Sequence, residues 1–218
     1  ISSQEGRYAI TGLPCFIKTI RRLQTQQDVF KTRIKYTLSV VCGHLKSTAY
    51  AELIAWQLGV SPNNLSNIDF RLKIDGSKAN QKGVVARSLS GKASRQDIVQ
   101  NIFGTNYGHG FFKYEACDYC DDVFGETADI SVGDAWLPEF LDEGTSLVVI
   151  RNQDIARLLS EYQSELDVVR LSPEKAAKSQ NSGLRHRRDY LKYRLFLRAR
   201  TGRYVPKKRV EAEKTHLD

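Results

Sequence analysis

The stretch around which this chain is organised runs from residue 111 to residue 136 and reads FFKYEACDYCDDVFGETADISVGDAW. It holds Cys117 and Cys120 three positions apart, and a tight turn at that spacing brings two sulfur atoms to the same side of the chain. The other two cysteines, Cys15 and Cys42, each follow a strand-like run and stand beside turn-forming residues. Because four thiolates are what a 4Fe-4S cluster or a structural zinc ion requires, these four cysteines are the candidate metal ligands.

Two other interpretations of the cysteines remain open at this point. Cysteine is among the most buried residue types, so Cys15 and Cys42 could be small core side chains. A zinc site built from four cysteines usually takes them as two close Cys-x-x-Cys pairs. This chain has one such pair and two single cysteines, which favours a cluster assembled by the folded domain over a zinc staple.

Two strand–turn–helix units precede the cysteine pair. The first is predicted to run from a strand at 7–10 through the turn at 11–15 into a helix, because apolar residues then recur at helical spacing. The second runs from a β-branched strand at 34–41 through Cys42 into another helix. Cysteines at the carboxyl ends of parallel strands predict an α/β or α+β fold, with a mixed sheet, flanking helices and ligands along one edge.

The rest of the chain alternates between strand and helix patterns. Strands are expected at 67–74, 83–89, 129–132, 146–151 and 167–171. Helices are expected at 94–103, at 154–166, from 172 onward and, on a basic background, at 184–199. The strands at 67–74 and 83–89 are expected to pair with each other across a turn.

Composition and charge narrow the class of protein. The chain has 218 residues, of which 41% are hydrophobic and 27% charged, as in a globular protein with a sizeable core. No apolar run approaches the ~20 residues of a membrane span, and no signal-peptide pattern opens the chain. We therefore expect no membrane span and a cytoplasmic location, where cysteines are more often metal ligands or buried thiols than disulfides.

Positive charge is concentrated near the carboxyl end. The net charge is +8, and residues 183–209 hold eleven Lys and Arg against one acid. Because the remainder is nearly neutral, a generally basic nucleic-acid-binding domain is not expected. The sequence predicts a domain over residues 1–182 and a basic helical tail over 183–218, which could contact an acidic partner, RNA or a membrane surface.

Five ordered motifs resemble the beta-subunit family of coenzyme F-420 hydrogenases and dehydrogenases, whose relatives include 7-hydroxymethyl chlorophyll a reductase. The resemblance covers about residues 7–180. It is carried by Thr11-Gly-Leu-Pro-Cys15, Val41-Cys-Gly-His-Leu-Lys-Ser47, Asp69-Phe-Arg-Leu-Lys73, Cys117-x-x-Cys120-Asp121 and Ala128-Asp-Ile-Ser-Val-Gly-Asp134.

The resemblance implies an iron-sulfur flavoprotein oxidoreductase. Electrons would pass between a 4Fe-4S cluster, FAD rather than FMN, and an unidentified hydride or electron acceptor. An electron-transfer partner protein or ferredoxin-like domain, a small-molecule substrate and an oligomeric assembly are compatible with it. The N-terminal part of the family domain is expected to be absent from this chain.

A flavin requires donors for its pyrophosphate and contacts to its ring. The turn at Thr11 and Gly12 and the basic face of Arg71 and Lys73 are the candidates for phosphate, although the latter two could be a solvated face. The remaining candidates are Gly43, Gly133 and Asp134 for cofactor contacts, with His44 and Lys46 as donors to the flavin or its acceptor.

Two further functions fit the same residues. A zinc-stapled binding protein would use the four cysteines structurally and the basic tail for an acidic partner or nucleic acid. An assembly subunit of the same family would have lost redox activity. Asp118, Asp121 and Asp122 would lower the potential of a cluster, or they are simply solvated turn residues.

Overall fold

The computed structural model describes residues 1–78, 80–142 and 144–214. The chain divides into two compact units. The first unit contains Ile1–Gly43, Asp118–Leu137 and the chain from Thr145 onward, and the second contains His44–Cys117 and Pro138–Gly144. The chain therefore leaves the first unit just after Cys42, between Gly43 and His44, and returns to it between Cys117 and Cys120.

The strands of the described residues are, in chain order, β1 (Tyr8–Gly12), β2 (Ile34–Val40), β3 (Leu65–Leu72), β4 (Gly83–Ser88), β5 (Asp97–Ile98), β6 (Ile130–Asp134) and β7 (Ser146–Ile150). The α-helices are α1 (Pro14–Gln26), α2 (Asp28–Arg33), α3 (Thr48–Gln57), α4 (Glu115–Asp118), α5 (Gln153–Glu161), α6 (Pro173–Ser179), α7 (Asn181–Leu184) and α8 (Tyr190–Arg200). A π-helical turn, Arg185–Asp189, joins α7 to α8. No helix in these described ranges is both long and apolar enough to cross a membrane.

The first unit is built on a four-stranded mixed sheet in the order β1-β2-β6-β7. β1 and β6 both run parallel to β2, with Gly12 opposite Ser39 and Val40 opposite Val132, whereas β7 is antiparallel to β6. The carboxyl ends of β1, β2 and β6 consequently lie at one edge of the sheet. The predicted α/β fold with a mixed sheet is confirmed.

Helix α1 begins where the sequence predicts it and packs its apolar side inward. Pro14 occupies the start of the helix, where its missing N–H costs no hydrogen bond, and Ile17 is fully buried. Further along the chain, Ser172 caps α6 by accepting a hydrogen bond from the amide of Lys175 at 3.2 Å. The basic helix expected at 184–199 is present as α7, the π-helical turn and α8.

The second unit contains an antiparallel sheet in the order β3-β4-β5, with α3 packed against it. The predicted pairing of the strands near 67–74 and 83–89 is confirmed as β3 against β4. The core of this unit is an apolar cluster formed by Tyr50, Ile54, Ala55, Leu58, Val60, Val84, Ala86 and Ile102.

Two predicted elements are wrong. Residues 94–103 form the short strand β5 and a 3-10 turn instead of a helix, because Asp97 and Ile98 pair with β4. Residues 167–171 form no strand: none of the strands in the described ranges pairs with them, and Val168 and Val169 are exposed. At 94–103 pairing with β4 outweighed the helical spacing of the apolar residues, whereas at 167–171 no strand of the described residues pairs with the β-branched run.

Candidate functional site

The carboxyl edge of the first unit's sheet carries two of the four cysteines. Cys15 lies in the first turn of α1, just past β1, and is exposed. Cys42 lies two residues past β2, is half-buried, and donates its amide N–H to the carbonyl of Val123 at 3.0 Å. Because β1 and β2 are adjacent and parallel, both thiols lie at the same edge of the sheet, as the sequence predicted.

Residues 118–126, which we call the cysteine loop, contain Cys120. The sulfur of Cys120 donates to the carbonyl of Asp122 at 3.5 Å. Asp121 and Asp122 are buried, so they are not solvated turn residues. Burial raises the pKa of Asp122, even though the amide of Glu126 donates to both of its carboxylate oxygens, at 3.2 and 3.1 Å.

Two glycines allow the backbone around this loop to pack closely. Gly125 has φ of +62°, and a Cβ built on it would stand 2.1 Å from the Oγ of Ser39. A Cβ on Gly133 would stand 2.5 Å from the Cβ of Val41. The cysteine loop and the end of β6 therefore approach β2 and the residue after it as closely as backbone allows.

Asp129, at the amino end of β6, joins β6 to β2 at the edge of the sheet opposite Cys15 and Cys42. Its Oδ2 accepts hydrogen bonds from the N–H and the hydroxyl of Thr37, at 2.8 and 2.9 Å, and lies 2.8 Å from a guanidinium nitrogen of Arg21. Its Oδ1 accepts from Asn152 at 3.1 Å. Burial alone would raise the pKa of Asp129, but these donors bring it below its usual range. This carboxylate is therefore a structural member of the Ala-Asp-Ile-Ser-Val-Gly-Asp motif.

The basic tail is bound within the first unit through its arginines. The side chain of Arg187 is buried, with 1% exposure, and donates to the carbonyls of Gly43 and Cys120, the latter at 3.5 Å. One guanidinium thus contacts the backbone next to Cys42 and the backbone of Cys120 itself.

Three more arginines of the tail contact the cysteine loop. Arg194 donates to the carbonyl of Asp118 at 3.1 Å, and Arg188 forms an ion pair with Glu126 at 2.7 Å. Arg209 lies 2.9 Å from the carboxylate of Asp121 and is also paired with Glu126. The pKa of Glu126 is lowered mainly by the hydrogen bonds from Arg209. We call Arg187, Arg188, Arg194 and Arg209 the C-terminal arginine set.

The sequence pointed to the charge of this tail but not to its contacts. Arg187 and Arg194 are seven residues apart, which places them on one side of a helix, and four acidic residues are present in the cysteine loop. The spacing of these arginines and the group of acids were the features of the sequence that could have indicated contact between the tail and the cysteine loop.

In the second unit, His44 and Lys46 lie beside an aromatic residue that the sequence did not single out. The ring of His44 is buried and stacks on Tyr107 with 4.6 Å between centroids. The ammonium of Lys46 lies 4.8 Å from the Tyr107 ring and 4.9 Å from the Tyr50 ring, and it donates to the carbonyl of Phe111 at 2.6 Å. Burial and the nearby charge of Lys113 lower the pKa of Lys46.

Cys117 belongs to the second unit, where it accepts a hydrogen bond from the amide of Leu45 at 3.4 Å. Backbone N–H groups that donate to sulfur are a usual surrounding of cluster thiolates. Across residues 1–78, 80–142 and 144–214, no three His, Cys, Asp or Glu side chains are grouped closely enough to hold a metal ion.

The residues predicted to contact a flavin fall into the two units. Thr11, Gly12, Gly43, Gly133 and Asp134 lie along the carboxyl edge of the sheet in the first unit, where Gln180 donates to the Asp134 carbonyl at 2.7 Å. Arg71, in β3, and Lys73, just past it, are exposed and belong to the second unit, as do His44 and Lys46. Their roles stay predictions.

Comparison with known families identifies the chain. Residues 5–175 match the family described as the C terminus of the coenzyme F420 hydrogenase/dehydrogenase beta subunit. The chain belongs to this family. The match confirms the resemblance found in the sequence motifs, and it ends before the C-terminal arginine set.

A solved structure shares the fold of this beta-subunit family member. It is the F420-reducing NiFe hydrogenase complex from Methanosarcina barkeri, in which one chain aligns with a TM-score of 0.57 at 16% sequence identity. The alignment covers 92% of this chain and 65% of the other, so this chain spans less than two thirds of its relative's length. No curated protein matches the chain.

The donor set of this family member has the chemistry that an iron-sulfur cluster requires. Four thiols are present, and the two that follow β1 and β2 share one edge of the sheet. Cys120 lies in the loop whose Val123 carbonyl accepts a hydrogen bond from the amide of Cys42 at that edge. Thiolate ligands flanked by backbone N–H groups fit such a cluster. Membership of a hydrogenase and dehydrogenase subunit family suggests an electron-transfer role.

Proposed function

We propose that the protein is an iron-sulfur flavoprotein that passes electrons between a 4Fe-4S cluster, FAD and a hydride or electron acceptor. The observation that carries this proposal is the placement of Cys15 and Cys42 at one edge of a parallel strand pair, in a member of a redox subunit family. A sheet edge at the carboxyl ends of parallel strands is where α/β proteins hold their ligands.

The four thiolates would be the protein's ligands to the cluster. Cys15 lies in the first turn of α1, whose N–H groups stabilise negative charge. Cys42 donates its amide N–H to Val123 of the loop that contains Cys120, and Cys117 stands three residues before Cys120, a spacing that permits one shared site. The cluster, when bound, supplies one-electron transfer.

Each unit, taken by itself, offers candidate contacts to a flavin. The backbone at Thr11 and Gly12 offers N–H groups to a phosphate, and Arg71 and Lys73 offer positive charge. Lys46 would donate to an electron-rich group of the flavin or its acceptor, since its ammonium is held by the Phe111 carbonyl beside Tyr107. His44, stacked on Tyr107, would fix the position of that aromatic ring.

The acceptor and the partner are proposed by chemical class. The family description names coenzyme F420, and the similar structure is a multisubunit hydrogenase complex. We therefore propose a deazaflavin as the small-molecule partner and a second redox protein or ferredoxin-like domain as the source of electrons.

The composition of anaerobically purified protein tests this function. We expect iron and acid-labile sulfide near four of each per chain, bound flavin, and the brown colour of an iron-sulfur protein. A colourless protein that holds one tightly bound zinc and no flavin would refute the proposal and support the zinc-stapled alternative.

Single replacement of the cysteines tests whether they share one site. Cys15→Ser should lose as much iron as Cys120→Ser, because each change removes one ligand of the same cluster. Iron and sulfide are measured per folded chain, with circular dichroism to show that each variant retains its secondary structure. Wild-type iron content in Cys15→Ser would contradict the shared cluster.

A further inference from the structure

We propose that Arg187 is a positioning residue for the cluster: its guanidinium holds two thiolate-bearing segments together and places a positive charge beside them. This inference rests on the proposed function, since it concerns the same thiolates. It assigns a role to the basic tail, which lies beyond the residues matched by the family.

The contacts of Arg187 join segments that are far apart in the chain. Its two terminal nitrogens donate to the carbonyl of Gly43, 144 residues away, and to that of Cys120, 67 residues away. The first carbonyl directly follows Cys42, and the second belongs to a proposed ligand. Because a guanidinium is a rigid planar fork, it fixes the separation of the two carbonyls it binds.

The helical end of the chain holds Arg187 in place. Leu191 and Leu195, one and two turns further along α8, are almost completely buried. Arg194 donates to the carbonyl of His186 at 2.8 Å and to that of Asp118 at 3.1 Å. The helix is thus anchored by apolar contacts on one side and by the cysteine loop on the other.

The charges of the tail and the loop are matched. The cysteine loop carries Asp118, Asp121, Asp122 and Glu126, and the C-terminal arginine set supplies four positive charges. Within this set Arg187 differs from Arg209, whose side chain is 47% exposed, because Arg187 is buried against the Cys120 backbone. A positive charge in a poorly hydrated position beside a cluster favours the reduced form, which is the more negative one.

The experiment compares Arg187→Lys, which retains the charge but not the fork, with Arg187→Gln, which loses the charge. Arg203→Gln, an exposed arginine of the same tail, is the control. Hydrogen exchange is measured on the metal-free chain. The midpoint potential and the EPR spectrum of the reduced cluster are measured on the loaded chain.

We expect faster exchange at residues 40–43 and 118–126 in both Arg187 variants, and wild-type exchange in Arg203→Gln. In the loaded chain, both variants should show an altered EPR spectrum, and the midpoint potential of Arg187→Gln should lie below that of Arg187→Lys. The second comparison separates the charge from the contacts, because a purely structural role would shift both variants equally.

Three results would overturn the inference. Unchanged exchange in both segments would show that Arg187 does not hold them. A wild-type EPR spectrum, or equal potentials in the two variants, would remove its role toward the cluster while leaving the proposed function intact. A wild-type chain that takes up no iron and sulfide would overturn the proposed function itself, and this inference with it.

Discussion

Replacement of Gly125 by alanine tests the close packing of the cysteine loop against β2. Gly125 has φ of +62°, a conformation that costs a residue with a Cβ about 1–2 kcal/mol. The new Cβ would also stand 2.1 Å from the Oγ and 2.3 Å from the Cβ of Ser39, which is 2% exposed on a central strand. Such overpacking costs about 1–3 kcal/mol more, so the loss in the free energy of unfolding should be about 2–5 kcal/mol.

Gly202 provides a matched control for this substitution. Its φ is +66°, but nothing lies within 4 Å of a Cβ built on it. Gly202→Ala should therefore cost only the backbone strain, about 1–2 kcal/mol. The difference between the two variants isolates the contact with Ser39.

The assay can be confined to the first unit. The chain has two tryptophans, Trp56 in the second unit and Trp136 in the first, and Trp56 is 64% exposed. In a Trp56→Phe background, urea unfolding followed by tryptophan fluorescence reports on Trp136 alone. Equal destabilisation by Gly125→Ala and Gly202→Ala would refute the packing described for the cysteine loop.

Two further predictions concern carboxylates of the first unit. Asp129→Ala leaves the buried N–H of Thr37 without its acceptor. The free energy of unfolding should fall by about 1–3 kcal/mol in the same fluorescence assay. A loss under about 0.5 kcal/mol would contradict the role of Asp129 in joining β6 to β2. Glu126 has a lowered pKa because of Arg209, so its pairing stabilises the fold above its unfolded pKa of about 4.3 and is lost as the pH falls through the lower folded value. Urea unfolding across pH should therefore show that Arg209→Gln is less stable than wild type at neutral pH and that the difference shrinks in acid, where the hydrogen bond from Arg209 to the Asp121 carbonyl remains. A difference that does not shrink in acid, or one matched by Arg203→Gln, would show that the pair with Glu126 is not its source.

The parallel half of the fold was predictable because local patterns and turn residues agree there. The runs before Cys15 and Cys42 are rich in β-branched and apolar residues, glycine or proline stands beside each cysteine, and helices follow. The structure places the two runs as neighbouring parallel strands. The family motifs of the sequence were likewise confirmed by the match over residues 5–175.

The two wrong predictions concern segments whose structure depends on whether another strand pairs with them. Ile98, Val99 and Ile102 have helical spacing, but β4 offers Asp97 and Ile98 an edge to pair with, and the pairing prevailed. Val168 and Val169 look like strand residues but join neither of the two sheets formed by the described part of the chain.

The tail could be recognised as basic without any indication of what it contacts. The acids that bind Arg188 and Arg209 lie more than sixty residues earlier, and nothing local in the sequence relates the two segments. From charge composition alone we expected the tail to contact a separate partner, whereas Arg188 and Arg209 bind the cysteine loop of the same chain.

The span of the Arg187 contacts has a consequence for biosynthesis. The hydrogen bond from Thr37 in β2 to Asp129 joins residues 92 positions apart, and the contact of Arg187 with Gly43 joins residues 144 positions apart. Contacts of such long range form late in folding, because a long loop must first be closed. While the ribosome is still making the chain, Cys15 and Cys42 emerge well before the arginine that steadies the segment after Cys42. The proposed cluster would therefore be loaded after Arg187 has left the ribosome, when the segments that carry Cys42 and Cys120 are held together.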